Sequence, residues 1–435
     1  MWGAHWSIVL EKSGIPGVYI VDEPFRDDVE ISCEKEGMAA LRRVAVSHPC
    51  GDVPDSQLPS VVSRMVEALT VPLSEAEKSP VKKVVKQPER VVFKGTLDEV
   101  QTFFHRSGWS DGLPIMPPTE EAVRAMLKGT THGPDEIVTT NMLPESQTAS
   151  VEKVAVVAVM AGCEPKYMPV LLAMVEAFSD NRFSSSVRST SSFSFLTIVN
   201  GPIARQIKMN CGINALGSGT GNRANASIGR FLRLAIICLG GSRSGISDLS
   251  SIGNPTKYSF AFAENEERSP WDPFHVSAGF RPEDSVISIL VGGYSHHSPF
   301  GHVDMERVAK SIATYELPIG ALILVDPMWA KRISEQGFTK KAAEEYIWSH
   351  ATKTAEEFRS DFFYKSLIEP SIKGKPWYGQ TGLWPTAYLD LSSDEKVQVF
   401  PRGNVRIAVV GGETNPFAQA WQYSRPCSIS VDKWR

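Results

Sequence analysis

The densest group of residues able to do chemistry is the segment 217–230, which reads GSGTGNRANASIGR. Glycines at alternate positions allow backbone torsions closed to other residues and let a ligand approach the main chain. A helix that follows such a loop directs free backbone N–H groups and its positive dipole end toward one point, which suits an anion. The segment is not a P-loop, because the Lys-Ser/Thr pair is missing, and it departs from the dinucleotide-binding fingerprint.

Arginines on the following helix strengthen this expectation. Arg223, Arg230 and Arg233 fall on one side of the helix, where they can donate charge-assisted hydrogen bonds to a carboxylate or phosphate. The alternative is a tight turn before a helix whose arginines pair with local acids. The sequence favours a small anionic ligand, and the predicted binding residues are Gly219, Gly221, Asn222, Arg223, Asn225 and Arg230.

A second group is Ser295-His296-His297-Ser298, which follows an apolar strand predicted at residues 286–291 and the pair Gly292-Gly293. Histidine at the carboxyl end of a strand can bind a metal or move protons near neutral pH. Adjacent histidines on an extended chain point opposite ways, so His302 or His275 would have to complete a metal site. His296 is a catalytic candidate. The alternative is a loop histidine bonded to backbone, and no metal is predicted.

Acidic and thiol side chains supply the remaining candidates. The run Glu264-Asn265-Glu266-Glu267 lies between an aromatic strand and a Pro/Trp turn, so Glu264 can be a catalytic acid or base. A solvated acidic face is the alternative. Cys163 and Cys211 stand singly in apolar contexts, which predicts inert core residues.

The chain of 435 residues is long enough for two or three domains, and the predicted fold class is α/β. A small Rossmann-like unit is predicted at residues 1–70, with its first strand missing. A charged linker rich in Lys, Glu and Pro is predicted at residues 71–95, followed by a large mixed α/β domain at residues 96–435. The small unit alternates helices at 1–13, 25–37 and 56–69 with strands at 18–21 and 42–46.

The large domain is predicted to begin at a capping box, Thr96-Leu97-Asp98-Glu99, and to mix helices with very apolar strands. Continuous Val/Ile/Leu runs indicate strands buried on both faces, and ligands of such sheets collect at the strands' carboxyl ends. Two packed helices are predicted at 151–160 and 168–178, and strands are predicted at 195–199, 286–291, 321–325 and 405–410.

The composition narrows the class of protein. A net charge of -4 gives no reason to expect nucleic acid or an acidic membrane surface. No apolar run reaches the roughly 18 residues of a membrane span. The N-terminus carries no signal peptide pattern. Six scattered cysteines without a CxxC pair indicate reduced thiols and a cytoplasmic location.

Two stretches near the N-terminus resemble a known family. They are Gly3-Ala4-His5-Trp6-Ser7-Ile8-Val9-Leu10-Glu11-Lys12-Ser13-Gly14-Ile15-Pro16 and the turn His48-Pro49-Cys50-Gly51-Asp52. They are similar to the selenocysteine-containing subunit of glycine/sarcosine/betaine reductase component B and to the related UGSC-motif proteins. This resemblance covers about the first 70 residues. The stretches 221–230 and 263–267 look like the large domain that accompanies UGSC-type segments.

The resemblance implies a redox motif, selenocysteine or cysteine followed by Gly, Ser and Cys, directly before the first helix. It is expected just upstream of Met1 and is absent here, since Cys50 belongs to the His-Pro-x-Gly turn. Met1 is therefore expected to be internal, behind a TGA codon for selenocysteine read as a stop. A paralogue that lost the motif is the alternative. The first helix would activate the nucleophile, and His48 would face the same crevice.

These observations together predict a cytoplasmic, selenol- or thiol-dependent oxidoreductase-like protein that acts on a small carboxylate-type anion. As written, the chain is expected to be inactive in the redox step. No cofactor beyond that selenocysteine is predicted, while a redox partner protein and a homo-oligomer are compatible with the pattern. Two alternatives stay open. One is a non-redox protein that binds an anionic metabolite, and the other is a metal-dependent hydrolase or lyase centred on His296, His297 and residues 264–267.

Overall fold

The computed structural model describes residues 2–35, 37–48, 50–75, 89–297, 304–374 and 382–435. Helices and strands alternate along most of the chain. The described helices are α1 Trp2–Lys12, α2 Arg26–Lys35, α3 Leu58–Thr70, α4 Leu97–Arg106, α5 Glu120–Leu127, α6 Val151–Met160, α7 Met168–Ala177, α8 Ser184–Val187, α9 Pro202–Gln206, α10 Arg223–Cys238, α11 Met305–Ile312, α12 Pro327–Glu335, α13 Lys340–His350, α14 Ala355–Ser360 and α15 Glu369–Ile372. The described strands are β1 Tyr19–Asp22, β2 Arg43–Val46, β3 Ile137–Met142, β4 Gln147–Ser150, β5 Ser194–Asn200, β6 Ala261–Ala263, β7 Val286–His297, β8 Ala321–Val325, β9 Thr352–Thr354, β10 Lys396–Gln398, β11 Val405–Val409 and β12 Ala418–Ser430.

The first 75 residues form a small α/β unit around a parallel pair of strands. β1 pairs with β2 in parallel, Tyr19 opposite Arg43, and α2 makes the crossover between them. Its apolar side chains form two small clusters, one including Ile8, Val21 and Val29, and the other Val44, Val46 and Val61. The unit thus has a core of its own.

The rest of the chain is organised around a six-stranded mixed sheet in the order β11-β8-β12-β7-β5-β6. β5 and β6 are parallel, β8 and β11 are parallel, and the other neighbours are antiparallel. The remaining described strands form two small antiparallel pairs, β3 with β4 and β9 with β10. The predicted fold class, mixed α/β, is confirmed.

The six-stranded sheet curls until its two edges meet. The Asn265 N–H, just after β6, donates to the Val409 carbonyl of β11 at 2.7 Å. Inside the curl lies an apolar cluster that includes Leu196, Phe262 and Leu324. Because each strand shows alternate side chains to this interior, the curl buries most of one face of the sheet.

Helices cover the outer face of the curled sheet, which explains the unbroken apolar strands. α6, α7 and α10 pack on one side, and α11, α12 and α13 pack on the other. In β8, Leu322 and Leu324 point into the curl, whereas Ile323 belongs to the outer cluster. The prediction that these strands are buried on both faces is confirmed. α7 is itself apolar almost all round because it lies beneath neighbours on several sides.

Most predicted elements form, and the differences lie in the sheet. The capping box at Thr96 is present, with its hydroxyl accepting from the Glu99 N–H. β7 was expected to end before Gly292, but it runs on to His297. β12, the two small antiparallel pairs and the helices α5, α8, α9 and α11 to α15 were not predicted. The division into domains at residues 70 and 95 remains a prediction, and part of the predicted linker lies outside the described residues. None of the helices described here is long and apolar enough to cross a membrane.

Candidate functional site

His48 lies at the carboxyl ends of the parallel strands in the small unit. Its Nδ1 is 2.9 Å from Asp22 Oδ2, so the residues that follow β2 and end β1 form an acid–histidine pair. His48 is about half exposed, and its ring meets Phe25 edge-on at 5.6 Å between centroids. Only six residues join α1 to β1, so we expect the two to run in opposite directions, with the start of α1 near this edge of the sheet. A carboxylate that orients a histidine in this way is a common arrangement for proton transfer.

The cysteines of the large region are free, and several lie in apolar surroundings. Burial raises the pKa of Cys163 and of Cys238 to about 12, and it raises the pKa of Cys211 as well. A thiol with so high a pKa carries no thiolate at neutral pH and is a poor nucleophile. Cys163 also lies within 3.4 Å of the Ser227 carbonyl, in keeping with an inert core role. Cys50, two residues after His48, is exposed.

The predicted anion loop is held in shape by its own asparagines. Asn222 is buried, and its Nδ2 donates to the carbonyls of Asn214 and Gly217 at 2.7 and 2.8 Å. Asn225 donates to the carbonyls of Asn210 and Ala215, and its Oδ1 accepts from the Asn210 N–H. These amides therefore fasten the loop before α10, and their hydrogen-bonding groups are used within the protein. Gly219, at a φ of +142°, and Gly221 are exposed in that loop.

The three arginines of α10 do not meet at one point. Arg223 pairs with Glu164 at 2.8 Å and is 65% exposed. Arg230 makes a bidentate pair with the buried Asp111, at 2.8 and 3.0 Å. Arg233 pairs with Asp248 at 3.0 Å. Each arginine pairs with a different acid. This is the alternative stated from the sequence, a helix whose arginines pair with nearby acids. The assignment of these residues to a substrate remains a prediction.

Glu264 lies at the closure of the curled sheet, with its side chain fully buried. Oε2 accepts from Asn200 Nδ2 at 2.7 Å and from the Phe274 N–H at 2.5 Å. Oε1 accepts from the Val409 N–H and from Lys340 Nζ, each at 3.3 Å. With four donors around it, this carboxylate fastens β6 to β11 and to the start of α13, and its catalytic assignment remains a prediction.

A second carboxylate shares the edge of β11 with Glu264. Glu344, on α13, accepts from the Ile407 N–H at 2.9 Å, while its other oxygen lies 3.7 Å from Arg406. Burial raises the pKa of Glu344, and the hydrogen bond from Ile407 and the charge of Lys340 only partly oppose this. A carboxyl with a raised pKa in a cleft is a candidate for proton exchange.

Glu344 and Arg406 border a large hollow, which we call the lysine cleft. It has a volume of about 700 Å³ and lies between residues 270–277, the start of α13 and Arg406. Its charged lining residues are Asp272, Lys340, Lys341, Glu344 and Arg406, three cations against two acids, and Trp271 and Phe338 add aromatic surface. Lys340 is anchored, since its Nζ donates to the Asp272 carbonyl at 3.2 Å and lies 5.6 Å from the centre of the Phe274 ring. The volume is within the usual range for small-molecule sites.

His296 is part of β7, not of a loop after it. Its ring lies against Trp421 of β12, with 3.8 Å between centroids. His296 and His297 were expected to follow the end of this strand. The extension of β7 to His297 corrects that expectation. Among the residues that the structure describes, no group of three or more His, Cys, Asp or Glu is placed to hold a metal ion. Ser298 and His302 lie outside the described residues.

Lys340, Glu344 and Arg406 were not singled out from the sequence. Lys340 and Glu344 are four residues apart on one helix, a spacing that usually marks a solvated ion pair. Arg406 comes from a strand more than 60 residues later. Only the packing of α13 on β11 brings the three together, so no local pattern could have indicated the cleft.

Comparison with known proteins gives one match. The UGSC family model matches residues 2–75, which comprise the small unit with α1, the Asp22–His48 pair and α3. The N-terminal region of the chain is therefore similar to the UGSC family. No curated protein and no solved structure matches the chain.

Proposed function

We propose that the chain is an oxidoreductase-like protein of the UGSC type that acts on a small carboxylate-type anion. The single observation that supports the substrate class is the lysine cleft, where three cationic side chains converge with two acids and an aromatic wall. A carboxylate-bearing molecule would place its charge toward Lys341 and Arg406, since Lys340 is already held by Glu264. Trp271 and Phe338 would cover its apolar part.

Glu344 is the group we propose for proton exchange with the bound molecule. Its raised pKa keeps a fraction of the side chain protonated closer to neutral pH than an exposed glutamate would be. The Ile407 N–H fixes one oxygen, so the carboxyl group presents a defined edge to the cleft. Arg406 beside it would hold the substrate's negative charge next to the proton donor.

The redox half of the proposal comes from the family resemblance and from the small unit. A selenol or thiol placed before α1 would lie at the sheet edge that carries Asp22 and His48. There the dipole of α1 would stabilise a thiolate or selenolate, and His48 would take up its proton. Asp22 would hold the imidazole in position, as a carboxylate does beside many catalytic histidines.

Substrate binding can be tested by thermal shift and calorimetry with a panel of small mono- and dicarboxylates. We expect one or more to stabilise the wild type, and Arg406→Gln and Lys341→Gln to weaken binding about tenfold, a typical effect of losing a charged hydrogen bond. Lys331→Gln, an exposed lysine paired with Glu335 outside the cleft, should bind like the wild type. Arg223→Gln tests the loop before α10, and a loss confined to that variant would contradict our placement. No stabilisation by any carboxylate would contradict the substrate class.

The redox role needs a separate measurement. We expect the chain, produced with a selenocysteine- or cysteine-containing segment fused before Met1, to consume a dithiol reductant in the presence of the carboxylate identified above. Each substrate molecule reduced by two electrons would be matched by one dithiol oxidised to a disulfide. His48→Asn should lower that rate without changing carboxylate affinity. Binding without any dithiol consumption would instead favour the non-redox binding protein.

A further inference from the structure

A second hollow lies where β8 and β11 end, away from the lysine cleft residues. We call it the glycine cavity, and it is bounded by residues 214–217, Asp326 and residues 410–419. Its volume is about 390 Å³, enough for a small organic molecule. β8 and β11 are parallel neighbours, so this is also where the carboxyl ends of two strands come together.

The walls of the glycine cavity are two loops in close contact. The Gly411 N–H donates to the Cys211 carbonyl at 2.8 Å, and Asn265 Nδ2 donates to the Gly411 carbonyl at 3.0 Å. A Cβ on Gly412 would meet the Ile213 side chain at 2.2 Å, so a larger residue there would require Ile213 to shift. Asn222 Nδ2 donates to the carbonyls of Asn214 and Gly217, which fixes the segment 214–217 that lines the cavity. The cavity is therefore preformed.

The lining groups indicate the chemistry of a ligand. Asp326, Asn214, Asn415, Thr414 and Gln419 supply carboxylate, amide and hydroxyl groups, whereas the lining residues described include no Lys, Arg or His. Asp326 accepts from the N–H groups of Met328, Trp329 and Phe417, which fix its carboxylate at the wall of the cavity. Burial raises the pKa of Asp326, so the surroundings already disfavour added negative charge.

Apolar surface completes the cavity. Leu216, Val410 and the half-exposed Phe417 lie beside the polar groups. We infer that the glycine cavity binds a neutral, polyhydroxylated molecule of about monosaccharide size. Hydroxyl groups both donate and accept, which matches the mixture of carboxylate and amide groups, and the C–H face of a sugar ring packs well on an aromatic side chain. An anion would find no cationic side chain among the described lining residues.

This inference can be tested by calorimetry and ligand-observed NMR with glucose, galactose, mannose and ribose, with glucuronate as the anionic counterpart. We expect at least one neutral sugar to bind, and Asn415→Ala and Phe417→Ala to weaken it about fivefold or more. The matched control is Glu413→Gln, on the same loop but paired with Arg268 and not lining the cavity. It should bind like the wild type.

Three results would overturn the inference. They are the absence of binding by every neutral sugar, glucuronate binding as tightly as its neutral counterpart, and unchanged affinity in both Asn415→Ala and Phe417→Ala. Because both side chains are on an exposed loop, the variants should keep the fold, which circular dichroism checks. Thr414→Val offers a second polar deletion on that loop. Arg406→Gln leaves this cavity intact, so a failure of the carboxylate proposal would not alter the sugar result.

Discussion

Two largely buried glutamates in this protein differ in their hydrogen-bond partners and in their access to a cleft. Glu264 and Glu344 both accept backbone N–H groups from β11, but the first is surrounded by four donors and the second has one backbone donor and a distant arginine. The difference is that Glu344 also lines a large cleft. A carboxyl group that is buried, incompletely paired and accessible from a cleft is where proton exchange is expected.

The pH dependence of stability tests the environment of Glu344. The pKa of Glu344 is raised in the folded state, so the fold binds the proton more tightly than the unfolded chain does. This contribution to stability is fully present below the unfolded-state pKa of about 4.5 and is lost as pH rises through the folded-state pKa. Glu344→Gln keeps an oxygen for the Ile407 N–H but does not ionise. We therefore expect the free energy of unfolding of Glu344→Gln, relative to that of the wild type, to increase as pH rises. Urea unfolding over a pH series measures this difference.

The neighbouring glutamate supplies the control for this experiment. Glu345 is 42% exposed and pairs with Arg402 at 2.8 Å, away from the edge of β11. The stability difference between Glu345→Gln and the wild type should show little change over the same pH range. A flat difference for Glu344→Gln as well would mean that burial does not control its protonation.

At the scale of elements, α10 is fixed to the chain before it by one buried ion pair. Arg230 forms an ion pair with Asp111, whose side chain is only 2% exposed, and also donates to the Pro114 carbonyl at 2.8 Å. Breaking a buried pair leaves an uncompensated charge, whereas an exposed pair contributes little.

Two arginine variants on this helix should therefore differ strongly. We expect Arg230→Gln to lower the free energy of unfolding by about 3 kcal/mol or more. Arg223→Gln should change it by less than about 1 kcal/mol, since Arg223 pairs with Glu164 at the surface. Urea denaturation of both variants measures the two values. Equal losses would show that Arg230 is not the anchor that the geometry indicates.

The helices that were predicted show local signals, whereas β12 and the second half of β7 show none. Thr96 begins α4 as its sequence indicates, because a capping box is a local feature. β12 contains Pro426 and two shifts of register, and proline usually argues against an interior strand. In β7, Gly292 looks like a loop residue, yet a Cβ there would meet the Gln422 carbonyl at 1.8 Å. That glycine is required by close packing of neighbouring strands, which only the folded sheet reveals.

The candidate site was less predictable than the fold for the same reason. Asp111 is 119 residues from Arg230, so the sequence shows the arginine without its partner. The lysine cleft likewise takes its walls from three separate stretches of chain. The His48 turn was indicated by a family resemblance, and the structure adds Asp22 as its hydrogen-bonding neighbour.

At the scale of the whole molecule, the small unit and the large region keep separate apolar clusters. A polar contact, Arg188 Nη1 to Ser32 Oγ at 3.1 Å, joins them. Regions with their own cores often fold alone.

We accordingly expect the fragment of residues 89–435 to fold on its own. Its calorimetric trace should keep the main transition of the full chain, with a midpoint within about 5 °C, because the two regions have separate apolar clusters. Circular dichroism and tryptophan fluorescence of the fragment provide the check on its folded state. A fragment that is unfolded, or that loses the main transition, would show that the small unit is part of the larger core.

The two carboxylates along β11 also affect how separate copies of the protein behave at high concentration. An edge strand with unpaired N–H groups is a template on which a strand of another molecule can assemble. Here Glu344 and Glu264 already accept the N–H groups of Ile407 and Val409. A foreign strand would have to displace both carboxyl groups before it could add to this sheet, so we expect these two acids to disfavour aggregation through β11.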